Sequence, residues 1–263
     1  MPEADTVKFL GTAGARFVMA KQIRYSAGTF LRLRDTSIML DPGPGTLTRC
    51  AKAKPKVDPE SLDAIIVTHA HIDHSNDLNV LIDAMTRGGW QKQGKVFAPQ
   101  KCLEGPDRVL LNYVRDFPNK IVSLEPETDY EVGDVQFSTS VRHHHSVDTY
   151  GIKFHRQAGA LSFLVDTQYF DGLAEAYEGA DILILNVVRR VPHSSGNVLH
   201  LTLEQAEKVI EHVRPRKAIL THFGMTMVKA KPWELADKMA QKTGIEVKAA
   251  SDGMMMELDE EQD

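Results

Sequence analysis

Along the chain, short continuous apolar runs rich in Val, Ile and Leu alternate with longer stretches in which apolar residues return every three or four positions. An apolar run too short for a helix and bounded by Gly, Pro, Asp or Asn reads as a strand. Such runs predict strands at 6–11, 28–34, 36–40, 64–68, 95–97, 135–141, 151–155, 160–165, 181–185, 218–221 and 253–258. The three-to-four spacing predicts helices at 76–85, 108–115, 202–213 and 232–242, each with one apolar face for a sheet to cover. Because the two kinds of segment interleave in both halves, the predicted class is α/β, a four-layer αββα sandwich with helices outside two packed sheets.

Composition refines this picture. The chain has 263 residues, 42% of them hydrophobic, and no Pro/Ser linker or charge block divides it, so a single domain over 1–263 is expected. No run of about 18 uncharged apolar residues occurs, and Met1-Pro2-Glu3-Ala4-Asp5 lacks the basic-then-apolar pattern of a signal peptide; a cytoplasmic protein with no membrane partner is expected. Cys50 and Cys102 are isolated, which fits a reducing compartment and makes neither a candidate ligand. A net charge of −5 provides no general attraction to nucleic acid, and the acidic end over 257–263 reads as solvated. A homodimer stays open as an assembly.

The chemistry concentrates in His69-Ala70-His71-Ile72-Asp73-His74, which follows the buried-strand run Ala64-Ile65-Ile66-Val67. Only 11 of the 263 residues are His, so chance is a poor account of three imidazoles and a carboxylate on one loop. A helical metal motif would place ligands at i and i+4; here His69 and His71 can face one ion while Asp73 and His74 face a second. Further candidates sit at the ends of apolar segments: His145, Asp166 and His222. A carboxylate closing the run Leu161-Ser162-Phe163-Leu164-Val165 is costly to bury unless cations compensate it. In an extended chain His143 shares a face with His145, and His144 points away into solvent. Asp41, before Pro42-Gly43, either shapes a turn or orients a His of the metal loop. His155 and His212 read as surface residues.

The order His-x-His-x-Asp-His, then a His, an Asp and a final His at strand ends, resembles the metallo-β-lactamase fold over nearly the whole chain. Phe9-Leu10-Gly11-Thr12-Ala13-Gly14 and Asp41-Pro42-Gly43 after Ser37-Ile38-Met39-Leu40 match the same superfamily. The resemblance selects His145 over His143, which is left as support, and implies a dinuclear hydrolase with Asp166 bridging. His69, His71 and His145 would then hold one ion, and Asp73, His74 and His222 the other. Nitrogen and oxygen donors without sulfur suit two divalent ions per chain, Zn²⁺ or Mn²⁺.

Within Val198-Leu199-His200-Leu201-Thr202-Leu203-Glu204-Gln205, Thr202 and Gln205 form a capping-box pattern. A helix beginning at Thr202 would present free N–H groups and its positive dipole end beside His200, an anion site in which His200 protonates a leaving alkoxide. Arg189 and Arg190 lie in a polar loop just before it and are candidate substrate contacts. This segment, with Asp181-Ile182-Leu183-Ile184-Leu185-Asn186 and Leu220-Thr221-His222, is similar to the phosphodiesterases of the carbon-phosphorus lyase pathway, which open a phosphoribosyl cyclic phosphate. Two features depart from them: Cys50 and Cys102 cannot build their structural zinc site, and Phe223-Gly224-Met225-Thr226-Met227 differs from their sequence after the last ligand. Ribonuclease Z shares the pattern but grips tRNA with a long arm, whereas only 20 residues separate His145 from Asp166, so tRNA is not expected as a partner. The expected reaction is metal-dependent hydrolysis of a small phosphodiester, cyclic ones included, to a phosphomonoester, with Asp73 and His200 as catalytic residues. The alternatives are a ribonuclease Z-like endonuclease, a lactonase or thioesterase, and a metal-binding protein without activity.

Overall fold

The computed structural model describes residues 4–258 except 27 and 195–197. Fourteen strands form two seven-stranded sheets. The first contains β1 (Thr6–Phe9), β2 (Thr29–Leu33), β3 (Thr36–Leu40), β4 (Ala64–Ile66), β5 (Lys95–Pro99), β6 (Lys120–Leu124) and β14 (Met255–Glu257), ordered β14-β1-β2-β3-β4-β5-β6. The second contains β7 (Asp129–Val132), β8 (Val135–Arg142), β9 (Tyr150–His155), β10 (Ala160–Leu164), β11 (Ala180–Asn186), β12 (Lys217–Thr221) and β13 (Glu246–Ala249), ordered β13-β12-β11-β10-β9-β8-β7. The helices are α1 (Ala15–Ala20), α2 (Thr46–Lys52), α3 (Ile72–Ser75), α4 (Leu78–Met85), α5 (Gln100–Leu103), α6 (Leu203–Val213), α7 (Met225–Lys229) and α8 (Pro232–Thr243).

Alternation along the strands makes the layers. Ile38 and Leu40 of β3, Ala64 and Ile66 of β4, and Ile182 and Ile184 of β11 enter the core between the sheets. Their neighbours Met39 and Ile65 face outward with Cys50 of α2 and Leu81 and Ile82 of α4. Leu183 and Leu185 pack outward with Val209 of α6 and Met239 of α8. Strands covered on both faces are apolar at nearly every position, which is why they read as near-continuous runs. The αββα arrangement agrees with the sequence expectation.

The differences have physical causes. No helix spans 108–115; there is only a 3-10 turn at Asn112–Val114. Asn79 accepts from the Leu111 N–H and donates to the Val109 carbonyl, and the Leu110 N–H reaches Cys102 O, so the backbone is satisfied without a helical ladder. Leu110 and Val114 are buried all the same, which accounts for the helix-like spacing. The predicted helix 76–85 begins at Leu78 as α4, after the separate short α3. Strands β6, β7 and β13 were not predicted; all three close sheet edges, where exposed Lys, Asp and Glu break the apolar pattern. No helix among the described residues is long and apolar enough to cross a membrane. Most of the acidic end, 259–263, lies outside the described residues.

The parallel register has one consequence for chemistry. Leu40 pairs with Ile66, and Leu164 pairs with Leu185, which pairs with Leu220. The chain therefore leaves β3, β4, β10, β11 and β12 at one level, and Asp41, His69, Asp166, Asn186 and His222 all emerge there, outside the carboxyl ends of the strands.

Phe137 is fully buried between the sheets, its ring 5.2 Å from Phe97 and 5.3 Å from Tyr130. Phe137→Ala is expected to destabilise the protein by about 3–5 kcal/mol, read as a lower urea midpoint at unchanged slope. A loss under about 1 kcal/mol would show that this aromatic cluster does not tie the sheets together.

Candidate metal centre

Two close backbone approaches fold the loops over the strand ends. A Cβ at Gly14 would lie 2.1 Å from the His222 carbonyl oxygen, and one at Gly43 would lie 2.0 Å from that of Asp73. No other residue fits at either place, which explains both glycine motifs noted in the sequence. Asp41 and His222 themselves hold positive φ angles of 50° and 58°, so both carry backbone strain at the site.

The structure brings all seven predicted donors together. His69, His71 and His145 form one group, Asp73, His74 and His222 a second, and His69, His74 and Asp166 a third, with donor atoms within 4.8 Å of one another in each. Asp166 sits between: its Oδ2 is 3.8 Å from His69 Nε2 and 3.4 Å from His74 Nε2, and its Oδ1 is 3.5 Å from His222 Nε2. His222 Nε2 is 3.6 Å from Asp73 Oδ2, and His145 Nε2 is 3.0 Å from His71 Nδ1.

The outer faces of these rings are tied down. His74 Nδ1 lies 2.9 Å from Asp41 Oδ2, His69 Nδ1 lies 3.1 Å from Thr68 Oγ1, and His145 Nδ1 lies 3.0 Å from the Leu199 carbonyl. Asp41 also accepts from the Thr68 N–H and hydroxyl, so it orients a His of the metal loop as well as closing the turn. Asn186 Nδ2 donates to Asp166 Oδ1. By contrast, the inward nitrogens His69 Nε2, His74 Nε2 and His222 Nε2 are buried without a hydrogen-bond partner. Orphaned imidazole nitrogens converging on a buried carboxylate, with the other nitrogens of His69 and His74 held, fit divalent metal ions.

The electrostatics divide the rings. Burial pushes the His69, His71 and His145 imidazoles below the usual histidine range, favouring the neutral form that ligates a metal. Burial opposes charge at His74 as well, but Asp41, Asp73 and Asp166 outweigh it and hold that ring well above the range. At Asp166 burial raises the carboxyl while His222, His200 and His74 outweigh it, so the group stays charged well below the carboxylate range. Cys50 and Cys102 are buried apart from this cluster, with thiols pushed up to about 12 by burial.

Three sequence expectations need correction. His143 does not share a face with His145, because β8 ends at Arg142 and alternation ends with it. Its ring instead packs in the interior, 2.8 Å from the Tyr177 hydroxyl and 3.3 Å from the Asp166 carbonyl, supporting the Asp166 backbone from behind. His144 is exposed but stacks on Phe170 at 4.0 Å, so it is not merely solvated. The start of α6 is not a set of free donors: the capping box is present, the Thr202 N–H bonds Gln205 Oε1, the Gln205 N–H bonds the Thr202 hydroxyl, and the Leu203 N–H bonds the Arg189 carbonyl. With Thr202 buried and Glu204 in the first turn, that helix end is a poor anion site.

His200 remains beside the donors, its Nδ1 3.6 Å from Asp166 Oδ2 and its ring 5.1 Å from His145. Burial lowers its pKa, with Asp166 pulling the other way. Arg189 lines the cavity next to His200 and bonds the Val191 carbonyl, whereas Arg190 is exposed and is held through its N–H by Thr226. His155 and His212 are exposed as expected. Thr68 and Asn186 had no assigned role in the sequence reading; a polar residue ending an apolar strand beside a candidate ligand is the signal that could have found them.

Asp41→Ala is expected to weaken metal binding about 10- to 100-fold through loss of the His74 anchor, measured by chelator competition. Unchanged affinity would mean that Asp41 serves the turn alone.

The profile of the beta-lactamase superfamily domain matches residues 36–223. The chain is 28% identical over 257 residues to an uncharacterised protein of Methanocaldococcus jannaschii, covering 95% of this chain and 94% of that one. It is 25% identical over 268 aligned residues to ribonuclease Z of Thermobifida fusca, covering 81% of this chain and 82% of that one. Its fold superposes on the crystal structure of a diphosphatase from the PhnP family with a TM-score of 0.71 at 19% identity, over 98% of each chain. Since the matched span runs over most of the chain and holds every donor from His69 to His222, the protein belongs to the beta-lactamase superfamily.

Proposed function

We propose that the protein is a dinuclear metal-dependent phosphodiesterase that converts a small phosphodiester, cyclic ones included, to a phosphomonoester. The observation that carries this reading is the meeting of two three-residue donor groups at Asp166 with His200 alongside. His69, His71 and His145 would hold one ion, Asp73, His74 and His222 the other, and Asp166 would serve both. When bound, such ions supply Lewis acidity toward phosphoryl oxygens and lower the pKa of a water toward about 7. Nitrogen and oxygen donors suit Zn²⁺ or Mn²⁺.

The chain's own residues do the rest. Asp41, Thr68 and the Leu199 carbonyl fix the imidazoles, and Asn186 fixes Asp166, so the donors need no reorganisation when substrate arrives. His200 turns Nδ1 toward Asp166 and leaves Nε2 for the leaving oxygen; a pKa lowered by burial makes its imidazolium a stronger acid than a free one. Arg189, at the cavity wall, is placed to meet a phosphoryl charge. Two named likenesses, a ribonuclease and a diphosphatase, support phosphoryl chemistry over a carboxylic ester. The plain hairpin of β9 and β10 between His145 and Asp166 supports a small substrate over tRNA.

Purified protein is expected to carry about two transition-metal ions per chain by elemental analysis, and Asp166→Ala to lose more metal than any single His variant, because the ions' charges then repel unshielded. One ion per chain, unchanged in excess Zn²⁺ or Mn²⁺, would remove the second site. His200→Ala should keep both ions and lose about 10²–10⁴-fold in rate on a phosphodiester with a poor leaving group, but less on a nitrophenyl ester, whose leaving group departs without a proton. Equal losses would assign His200 to phosphate binding, loss of metal would make it a ligand, and turnover of a lactone alone would overturn the phosphodiesterase reading.

A further inference from the structure

Beside His71, His145 and His200 opens a cavity of about 420 Å³, within the range of small-molecule sites. Its outer wall comes from elements with no part in holding the donors: Arg16 and Phe17 of α1, Val188, and Met225 at the start of α7. Phe17 is 69% exposed, while the next residue, Val18, is fully buried in the body of the protein. α1 is thus anchored through Val18 and holds an aromatic face at the cavity lip. Arg16 has no ion pair or hydrogen bond among the described residues, and no Asp or Glu is among the described residues lining the cavity, although the chain as a whole is acidic. The cavity therefore combines an uncovered aromatic ring, a flexible thioether and uncompensated positive charge, and it is continuous with the donor cluster.

We propose that this cavity is a subsite for a planar, nucleobase-sized group carried by the phosphodiester, stacked on Phe17 and packed by Met225, with Arg16 and Arg189 facing the negative charge of the nucleotide. The inference rests on the phosphodiesterase reading and specifies its substrate class. Stacking suits the geometry because every base has a π-face and any of them can cover Phe17, and Met225 adapts to irregular shapes. An exposed Phe over a cavity also regains on binding the apolar burial that the free protein forgoes.

Two esters with the same leaving group test this: thymidine 5′-(p-nitrophenyl phosphate) and methyl p-nitrophenyl phosphate. The metal-loaded protein is expected to favour the thymidyl ester about 10- to 100-fold in kcat/KM, chiefly through KM. Phe17→Ala should cut that ratio about 5- to 100-fold, the worth of one base–aromatic stack, and Phe17→Trp should retain it. Phe17 is mostly exposed, so neither change threatens folding. No preference for the thymidyl ester, or a preference that survives Phe17→Ala, overturns the subsite. Calorimetry with thymidine 5′-monophosphate and methyl phosphate reads the subsite without turnover. Tighter nucleotide binding that weakens in Phe17→Ala supports the subsite even where neither ester is hydrolysed, a result that would sink the phosphodiesterase reading alone. Equal affinity for the two ligands overturns the subsite.

Discussion

The structure is organised around one buried charge. Asp166 is 2% exposed and lies where the chain leaves β10, at the end of two sheets that share a hydrophobic core. An isolated carboxylate there would be neutralised or expelled at a cost of several kcal/mol. It is kept ionised because nitrogens of His74, His200 and His222 stand 3.4–3.6 Å from it, drawn from three different segments of the chain. Removing any one of those segments leaves the charge less compensated, so the site and the closure of the two sheets depend on each other.

The same constraint explains how the imidazoles are divided. Each of His69, His74 and His145 spends one nitrogen on Thr68, Asp41 or the Leu199 carbonyl; the other faces Asp166 in His69 and His74 and His71 in His145. A ring held at both its Cβ and its far nitrogen has lost its rotamer freedom before any ligand binds. Behind Asp166 the support continues through His143 to Tyr177, whose hydroxyl also reaches the Phe163 carbonyl. His69 and His74 are therefore fixed at their outer nitrogens, and the inward nitrogens of His69, His74 and His222 are left unsatisfied around Asp166.

Outside this frame the molecule changes character. The cavity walls come from short helices and from the segment before α6, none of which contributes to the strand register that sets the donors. Function on such a scaffold divides accordingly: the strand ends set what reaction is available, and the loops and short helices set what fits.

Much of this was legible along the chain. Burial of β3, β4, β10, β11 and β12 on both faces favours apolar residues at nearly every position, and a polar residue that ends such a run stands out, as His69, Asp166 and His222 do. Local pattern also marked the capping box at Thr202 and Gln205, because a cap is built from residues three apart. What pattern could not determine depends on partners distant in sequence. The pairing of Leu164 with Leu185 and Leu220 decides that Asp166, Asn186 and His222 emerge at one level. The end of β8 at Arg142 turns His143 toward Tyr177 and frees His145 for the donor cluster. The Arg189 carbonyl takes the N–H that an anion at α6 would have needed, and Asn79 satisfies the backbone where a helix at 108–115 was predicted. Periodicity reports which face of a segment is buried; the hydrogen-bond partners and the neighbours in register are settled only when the whole chain has folded.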